Sequence, residues 1–181
     1  MALFIHPTAD EMASRQKSRV GRSRYEVHQV GVLGAGTMGA RIAAHIANAG
    51  LPVLLFDLPS SGVNSNSIAL GAIDGLRKTK PAAFADPAVA SLITVGNFDD
   101  DLGKLKECDW IIEAVVENLE IKQTLLAKVA THLSDRAILT TNTSGLPVGK
   151  IGEQLPDVGS GRGMTRFENP QAGEGRIAFR H

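Results

Sequence analysis

The sequence predicts an α/β fold: a doubly wound, mostly parallel sheet with helices on both faces. Three observations predict it. Short apolar runs alternate with helical patterns at the distances of βαβ units. Aromatic residues are only 4% of a chain that is 43% hydrophobic, so Val, Ile, Leu and Ala must build the core, as they do in parallel strands covered by helices. A glycine-rich turn separates the first apolar run from the first helical pattern.

Each element has its own warrant. Order starts at Gln29, where Val30, Val32 and Leu33 read as a strand ending at Gly34. Met38, Ile42 and Ile46 then recur at helical spacing, and Ala40, Ala43, Ala44 and Ala47 give that helix a small-residue surface able to sit close on a sheet. Gly50 stands where a left-handed C-terminal cap is expected. Val53 to Asp57 form a second buried strand with an acid at its carboxyl end. A polar stretch, Ser60 to Ser67, leads into a helix from Ser67 to Thr79, marked by Ile68, Ile73 and Leu76 and stopped by Pro81.

Leu92 to Val95 read as a third strand. Asp99, Asp100 and Asp101 read as a solvated face, with one or two of them capping a short helix through Leu105. Trp110 to Val116 make a fourth strand, interrupted by Glu113, which needs a partner if it is buried. Leu119 to Leu133 is a helix by Leu125, Leu126, Val129 and Leu133, and Ala137 to Thr141 is a fifth strand. No internal repeat is present. From Gly159 onward glycines punctuate a basic segment without periodicity. The expected organisation is a disordered N-terminal extension (1–28), one nucleotide-binding domain (29–156) and a divergent tail (157–181).

Composition excludes several function classes. The 181 residues carry 19 Lys+Arg against 19 Asp+Glu, so no overall field draws the chain to nucleic acid or an anionic membrane. That neutrality sums two basic ends and a mildly acidic centre. One cysteine, Cys108, permits no intrachain disulfide and no cysteine cluster for zinc, and reads as a small buried hydrophobe in a reducing compartment. No apolar run approaches a membrane span. The apolar start, Met1 to Ile5, is too short for a secretory signal, and Asp10 and Glu11 argue against a transit peptide. A cytoplasmic location follows as the expectation.

The chemistry concentrates in the first turn. Gly34, Gly36 and Gly39 fit G-x-G-x-x-G: the first permits the tight turn, the second lets backbone approach a pyrophosphate, and the third lets helix lie against strand. The helix N-terminus, with Thr37 and Met38 in its first turn, adds N–H groups and positive dipole charge for the anion. Asp57, at the end of the next strand, stands near the offset expected for a carboxylate that accepts both ribose hydroxyls. It would repel a 2′-phosphate, so NAD is favoured over NADP; FAD-binding turns are similar.

At this point the sequence resembles the N-terminal domain of 3-hydroxyacyl-CoA dehydrogenases. The likeness is carried, in order, by GVLGAGTMGARIAAHIANAG (31–50), LFD (55–57), GNFDD (96–100), IIEAVVENLEIK (111–122) and TNTSG (141–145), and runs from Gln29 to Pro156. The segment LRKTKPAA (76–83) is most similar to the long bacterial members that carry an enoyl-CoA hydratase-like region. The resemblance implies a Rossmann-type domain, NAD as cofactor, and oxidation of (S)-3-hydroxyacyl-CoA to 3-oxoacyl-CoA in fatty-acid β-oxidation.

Residue by residue, the resemblance implies that Glu117 lies by the cofactor, Lys122 reaches cofactor and CoA, and Ser144 hydrogen-bonds near the reacting hydroxyl as the catalytic position present here. Asn142 and Thr143 shape that corner. Without the family, Glu117 and Lys122 read as a helix-start acid and a solvated lysine, and Ser144 as an N-cap for the helix through Val148 to Ile151.

The family's base is a His on a Gly-Thr-His-Phe-Phe-Asn-Pro strand. The stretch at the corresponding place here is Met164-Thr165-Arg166-Phe167-Glu168-Asn169-Pro170: either Arg166 occupies the catalytic position, where a guanidinium cannot accept a proton, or the family's sequence stops near Pro156, and in both cases the base is missing. His6, His28, His45, His132 and His181 have no spacing that suggests a replacement. No metal-ligand cluster is seen. The expectation is a truncated or frame-shifted product that binds NAD, with an acyl-CoA substrate and no nucleic-acid partner or membrane span. Homo-oligomerisation is doubtful without the family's helical C-terminal domain. The alternatives are a non-catalytic NAD-binding module or partner subunit, and a related β-hydroxyacid dehydrogenase.

Overall fold

The computed structural model describes residues 26–152. The expected extension (1–28, apart from Glu26 to His28) and the tail (157–181) lie outside the described residues. Five strands, β1 (Val30–Leu33), β2 (Val53–Asp57), β3 (Ile93–Asn97), β4 (Trp110–Glu113) and β5 (Ile138–Thr141), form one sheet in the order β3-β2-β1-β4-β5. Every pairing is parallel. The chain steps outward from β1 to β2 to β3, then returns to the other side of β1 as β4. That reversal creates a switch point between β1 and β4, and ligands of open α/β sheets bind outside the carboxyl ends of the strands at such a point.

Period-two alternation buries both faces of the sheet. Val30, Val32, Val53 and Leu55 pack in one core with α1 (Thr37–Asn48) and α2 (Ser67–Arg77). Leu33, Leu54, Phe56, Ile111 and Leu139 pack in the other with Leu125, Leu126 and Val129 of α3 (Leu119–Ala130) and Ile151 of α4 (Val148–Gly152). Helices therefore lie on both faces, as the sequence predicts.

Packing explains where side-chain periodicity misleads. The buried stripe of α1 is the small one, Gly39, Ala40, Ala43, Ala44, Ile46 and Ala47, whereas Met38 is exposed. Ile68 of α2 is exposed too, and Ala69, Ile73 and Leu76 make its inner face. Gly50, at φ +85°, closes α1: its N–H donates to Ala47 O at 2.8 Å, and the Leu51 N–H donates to Ile46 O at 3.4 Å. This pairing satisfies carbonyls that the helix end leaves without partners.

Some boundaries differ from the sequence expectations. The fourth strand ends at Glu113 and does not run to Val116, because Glu113 turns its carboxylate into a buried cluster and ladder pairing stops there. The helices α2 and α3 end at Arg77 and Ala130 and do not reach Thr79 and Leu133. Asp101 occupies the N-cap position of the short 3₁₀ turn Leu102–Glu107, but its side chain makes no cap bond; Oδ2 accepts from the Asn97 N–H at 3.0 Å and Oδ1 from Lys104 Nζ at 2.6 Å. The unforeseen element is a second 3₁₀ turn, Pro87–Leu92, capped by Asp86 Oδ1 accepting from the Ala88 N–H at 2.7 Å.

Candidate functional site at the carboxyl edge of the sheet

The turn from β1 into α1 is built by what its residues lack. Gly34 sits at φ +103°, and a Cβ there would lie 2.8 Å from Ala114 O. A Cβ on Gly39 would lie 1.8 Å from Gly34 O, so only glycine lets α1 start this close to the strand it follows. Gly36 is the contrast: nothing stands within 4 Å of its notional Cβ, and Gly36, Thr37 and Met38 are exposed. No side chain caps α1 and no acid stands in its first turn. The leading N–H groups and the positive helix end thus face an open surface suited to an anion.

Asp57 closes this turn from β2. Its Oδ2 accepts from the Ala35 N–H at 2.5 Å and its Oδ1 from the Leu58 N–H at 2.7 Å, while the residue stays half-buried. The carboxylate therefore stands beside the glycine turn, partly open to a ligand. Free space at Gly36, an uncapped helix start and an adjacent acid are the features a dinucleotide requires of a strand-turn-helix unit.

Across the switch point the construction is opposite. Glu113 and Lys122 are each wholly buried, with Lys122 Nζ at 2.7 Å from Glu113 Oε1 and 3.0 Å from Oε2. Glu113 also accepts from the Val115 N–H at 2.7 Å and from the Thr141 hydroxyl on β5, and Lys122 donates to Val115 O at 3.3 Å. A buried pair is tolerable when each partner's remaining polar sites are satisfied, as here. The solvated reading of Lys122 is thereby corrected: α3 turns this lysine inward, because Glu113 at the end of β4 offers it a counter-charge.

Glu117 stands outside this pair, its side chain 41% exposed, with Oε2 3.5 Å from Lys122 Nζ. Its Oε1 gathers three donors from the loop after β5: the Thr143 hydroxyl, the Ser144 N–H at 3.1 Å and the Gly145 N–H at 2.9 Å. The Thr143 hydroxyl and the Gly145 amide, helped by Lys122 and the Ser144 amide, hold its carboxyl down to about 2. Ser144 is exposed within this loop and does not cap α4, which starts at Val148 with Pro147 accepting from the Lys150 N–H. The N-cap reading of Ser144 is corrected accordingly.

The structure brings the predicted residues into two groups at one edge. Gly34, Gly36, Thr37, Met38, Gly39 and Asp57 form the β1–β2 side; Glu117, Lys122 and Ser144 form the β4–β5 side. Ala114 joins them, its N–H donating to Leu33 O at 2.8 Å. Two contributors escape sequence reasoning. Thr141 ends the fifth strand and opens TNTSG, and Asn97 lies in GNFDD, yet neither carries a local signal of the bonds it makes. In the structure Asn97 is buried, its Nδ2 donating to Asn66 Oδ1 and Asp100 Oδ2 and its Oδ1 accepting from the Asp99 and Asp100 amides. Glu113 did leave a signal, an acid inside an apolar run.

Cys108 is buried, and burial, with Asp109 and Glu107 adding to it, pushes its thiol up to about 12, so no nucleophile stands there. His45 is exposed and His132 half-buried. Among the described residues no group of His, Cys, Asp and Glu could hold a metal ion, and no helix is long and apolar enough to cross a membrane.

The family model described as "3-hydroxyacyl-CoA dehydrogenase, NAD binding domain" matches residues 29–172. A Deinococcus radiodurans protein named "Probable 3-hydroxyacyl-CoA dehydrogenase" is 46% identical over 125 residues, covering 68% of this chain and 36% of the relative. A Psychrobacter arcticus protein named "Fatty acid oxidation complex subunit alpha" is 31% identical over 174 residues, covering 94% and 23%. The crystal structure of 3-hydroxybutyryl-CoA dehydrogenase from Escherichia coli K12 is similar at a TM-score of 0.59 and 30% identity, covering 73% of this chain and 28% of that one. The chain thus spans about a third or less of the length of these relatives.

Proposed function

The chain belongs to the 3-hydroxyacyl-CoA dehydrogenase family, matching its NAD-binding domain, and on that premise we propose that it supplies the NAD site for oxidation of (S)-3-hydroxyacyl-CoA to 3-oxoacyl-CoA in fatty-acid β-oxidation. The observation that carries this reading is the uncapped start of α1 beside the open face of Gly36 and the half-exposed Asp57. Gly34, Gly36 and Gly39, with the amides of Thr37 and Met38, hold the pyrophosphate. Asp57 accepts from the adenine ribose hydroxyls and rejects a 2′-phosphate by charge. Glu117 and Lys122 form the rim at the other side of the switch point, and Ser144 stands toward the reacting hydroxyl. When bound, the nicotinamide supplies the acceptor for the hydride leaving C3.

The proton is the weak point of this chemistry. The matched range runs to residue 172 and so takes in Met164 to Pro170. Arg166 in that stretch lies outside the described residues, and an always-charged guanidinium accepts no proton. Oxidation by this chain is therefore slow or absent, while NAD binding is retained. Arg166 also favours the second reading, a non-catalytic NAD-binding module or partner subunit. A cytoplasmic location is part of the proposal, supported by the buried, unpaired thiol of Cys108.

Two measurements test it. Calorimetric titration should show NAD binding in preference to NADP, and absence of NAD binding overturns the reading. A steady-state assay with acetoacetyl-CoA and NADH should show little turnover. Turnover gained in Arg166→His supports a dehydrogenase that lacks only its base, and NAD binding without such a gain supports the module.

A further inference from the structure

We propose that Asn97 is a positioning residue that fastens the loop of residues 58–66 to the end of β3, and through that loop sets the place of the adenosine half of the cofactor. The inference rests on the NAD-site reading for its functional consequence, though not for its geometry. The loop continues β2 beyond Asp57 and contains no charged residue. Leu58 and the crest at residues 61–64 are exposed, so neither ion pairs nor apolar burial hold this segment. Its place has to come from hydrogen bonds.

Two consecutive residues pin both ends of the loop. The Phe98 N–H donates to Asp57 O at 3.0 Å, just before the loop starts. At the far end Asn97 Nδ2 donates to Asn66 Oδ1 at 2.8 Å and to Ser65 Oγ at 3.3 Å. Inside the loop the Ser60 N–H donates to Ser65 O at 2.9 Å, which carries the restraint back toward Asp57. Asn97 is itself held fast: it is 1% exposed, its Nδ2 also donates to Asp100 Oδ2 at 3.0 Å, and its Oδ1 accepts from the Asp99 and Asp100 amides, each at 2.9 Å. Gly96 makes this fit possible, since a Cβ there would lie 2.9 Å from Asp101 Cβ.

The carboxamide suits this place because it donates to the loop and to Asp100 while its oxygen accepts from two backbone amides. A buried polar network holds its members only while each is satisfied, so loss of the donors frees the loop end. Asn97→Asp keeps the size and the acceptor, removes both donors, and sets a third carboxylate against Asp100 and Asp101. The test uses the full chain labelled with nitrogen-15. The amide resonances of residues 58–66 should move more than any amide of α3, and the affinities for NAD and for ADP should fall together by about tenfold, the scale of one lost hydrogen bond. ADP carries only the adenosine half and its phosphates, so equal losses place the effect there.

Asn66→Ala keeps the proposal testable should the buried variant not fold. The Asn66 side chain makes no cap bond to α2, so this change removes an acceptor for Asn97 and no bond of the helix. It should move the same amides and weaken ADP about threefold. Asn48→Ala is the control: it cuts a comparable clamp at the other end of α1, where Asn48 Nδ2 donates to Ala83 O and Oδ1 accepts from the Ala85 N–H, each at 2.9 Å. It should lower stability and leave residues 58–66 and the ADP affinity in place. The proposal is overturned if Asn97→Asp and Asn66→Ala melt earlier with ADP affinity unchanged, the mark of a merely structural role, or if Asn48→Ala weakens ADP equally. Failure of the unaltered chain to bind NAD and ADP would remove the NAD-site reading, while the amide shifts would still decide whether Asn97 holds the loop.

Discussion

The two sides of the switch point solve opposite problems at the same sheet edge. The β1–α1 turn works by omission: no side chain caps the helix, and the Gly36 face is open. The β4–β5 side works by accumulation, with a buried acid, a buried base and a second acid that ties down a loop. The difference teaches that a backbone anion site needs only space and orientation, because the helix start already carries the partial charge. Placing one hydroxyl needs a scaffold of partnered charges, because a short loop does not hold a side chain by itself.

Breaking the accumulated side should cost most. Lys122→Met strands the Glu113 carboxylate in the core, and a loss of about 3–5 kcal/mol is expected, read as a lower urea midpoint. A loss near zero would mean that the buried pair contributes no net stability.

The omitted side is next, and its glycines separate fold from binding. Gly39→Ala drives a methyl into Gly34 O, so about 1–3 kcal/mol of stability should go. Gly36→Ala meets no neighbour and should melt as the unaltered chain does, yet bind NAD less tightly in calorimetry. Equal stability losses in the two variants would erase the distinction between a packing glycine and an approach glycine.

A smaller effect is expected at Asp57. Asp57→Asn keeps an acceptor for the Ala35 amide but removes the charge, so NAD should weaken by about tenfold, near 1.4 kcal/mol. The gap between NAD and NADP should narrow as well. An unchanged preference in paired titrations would locate cofactor choice elsewhere.

The pH dependence from Glu117 is the mildest, since the group is partly exposed and screened. Its carboxyl is held below its unfolded value, at about 2, so it binds its proton more readily when unfolded. The stability it contributes is complete above its ordinary value of 4.5 and is lost as the pH falls from there through about 2. Thermal melts of Glu117→Gln and the unaltered chain should therefore differ at neutral pH and converge toward pH 2. A gap that persists at pH 2 would assign the difference to shape and not to charge.

The omitted side was legible in the sequence because its signals are local. Glycine spacing, the strand before it and the acid one strand later all fall within Gln29 to Asp57. The accumulated side was legible only in pieces. Glu113 announced itself as an acid within an apolar run, but Lys122 lies nine residues on and looks like any helix lysine, and Thr141 is 28 residues away. Ser144 read as a cap because local propensity favours that use; the Glu117 contacts that override it span the distance between two strand ends.

The sequence by itself determined the α/β class, the strand-helix alternation and the nucleotide turn, because backbone periodicity and glycine sterics are properties of neighbouring residues. Only the tertiary structure decided that Met38 stays outside the inner face of α1, where β4 ends, and that Lys122 is buried. Those outcomes depend on pairing β4 with both β1 and β5 and on laying α3 over them. Burial raises the cost of an isolated charge and so rewards partners wherever the fold supplies them, however far apart they stand along the chain.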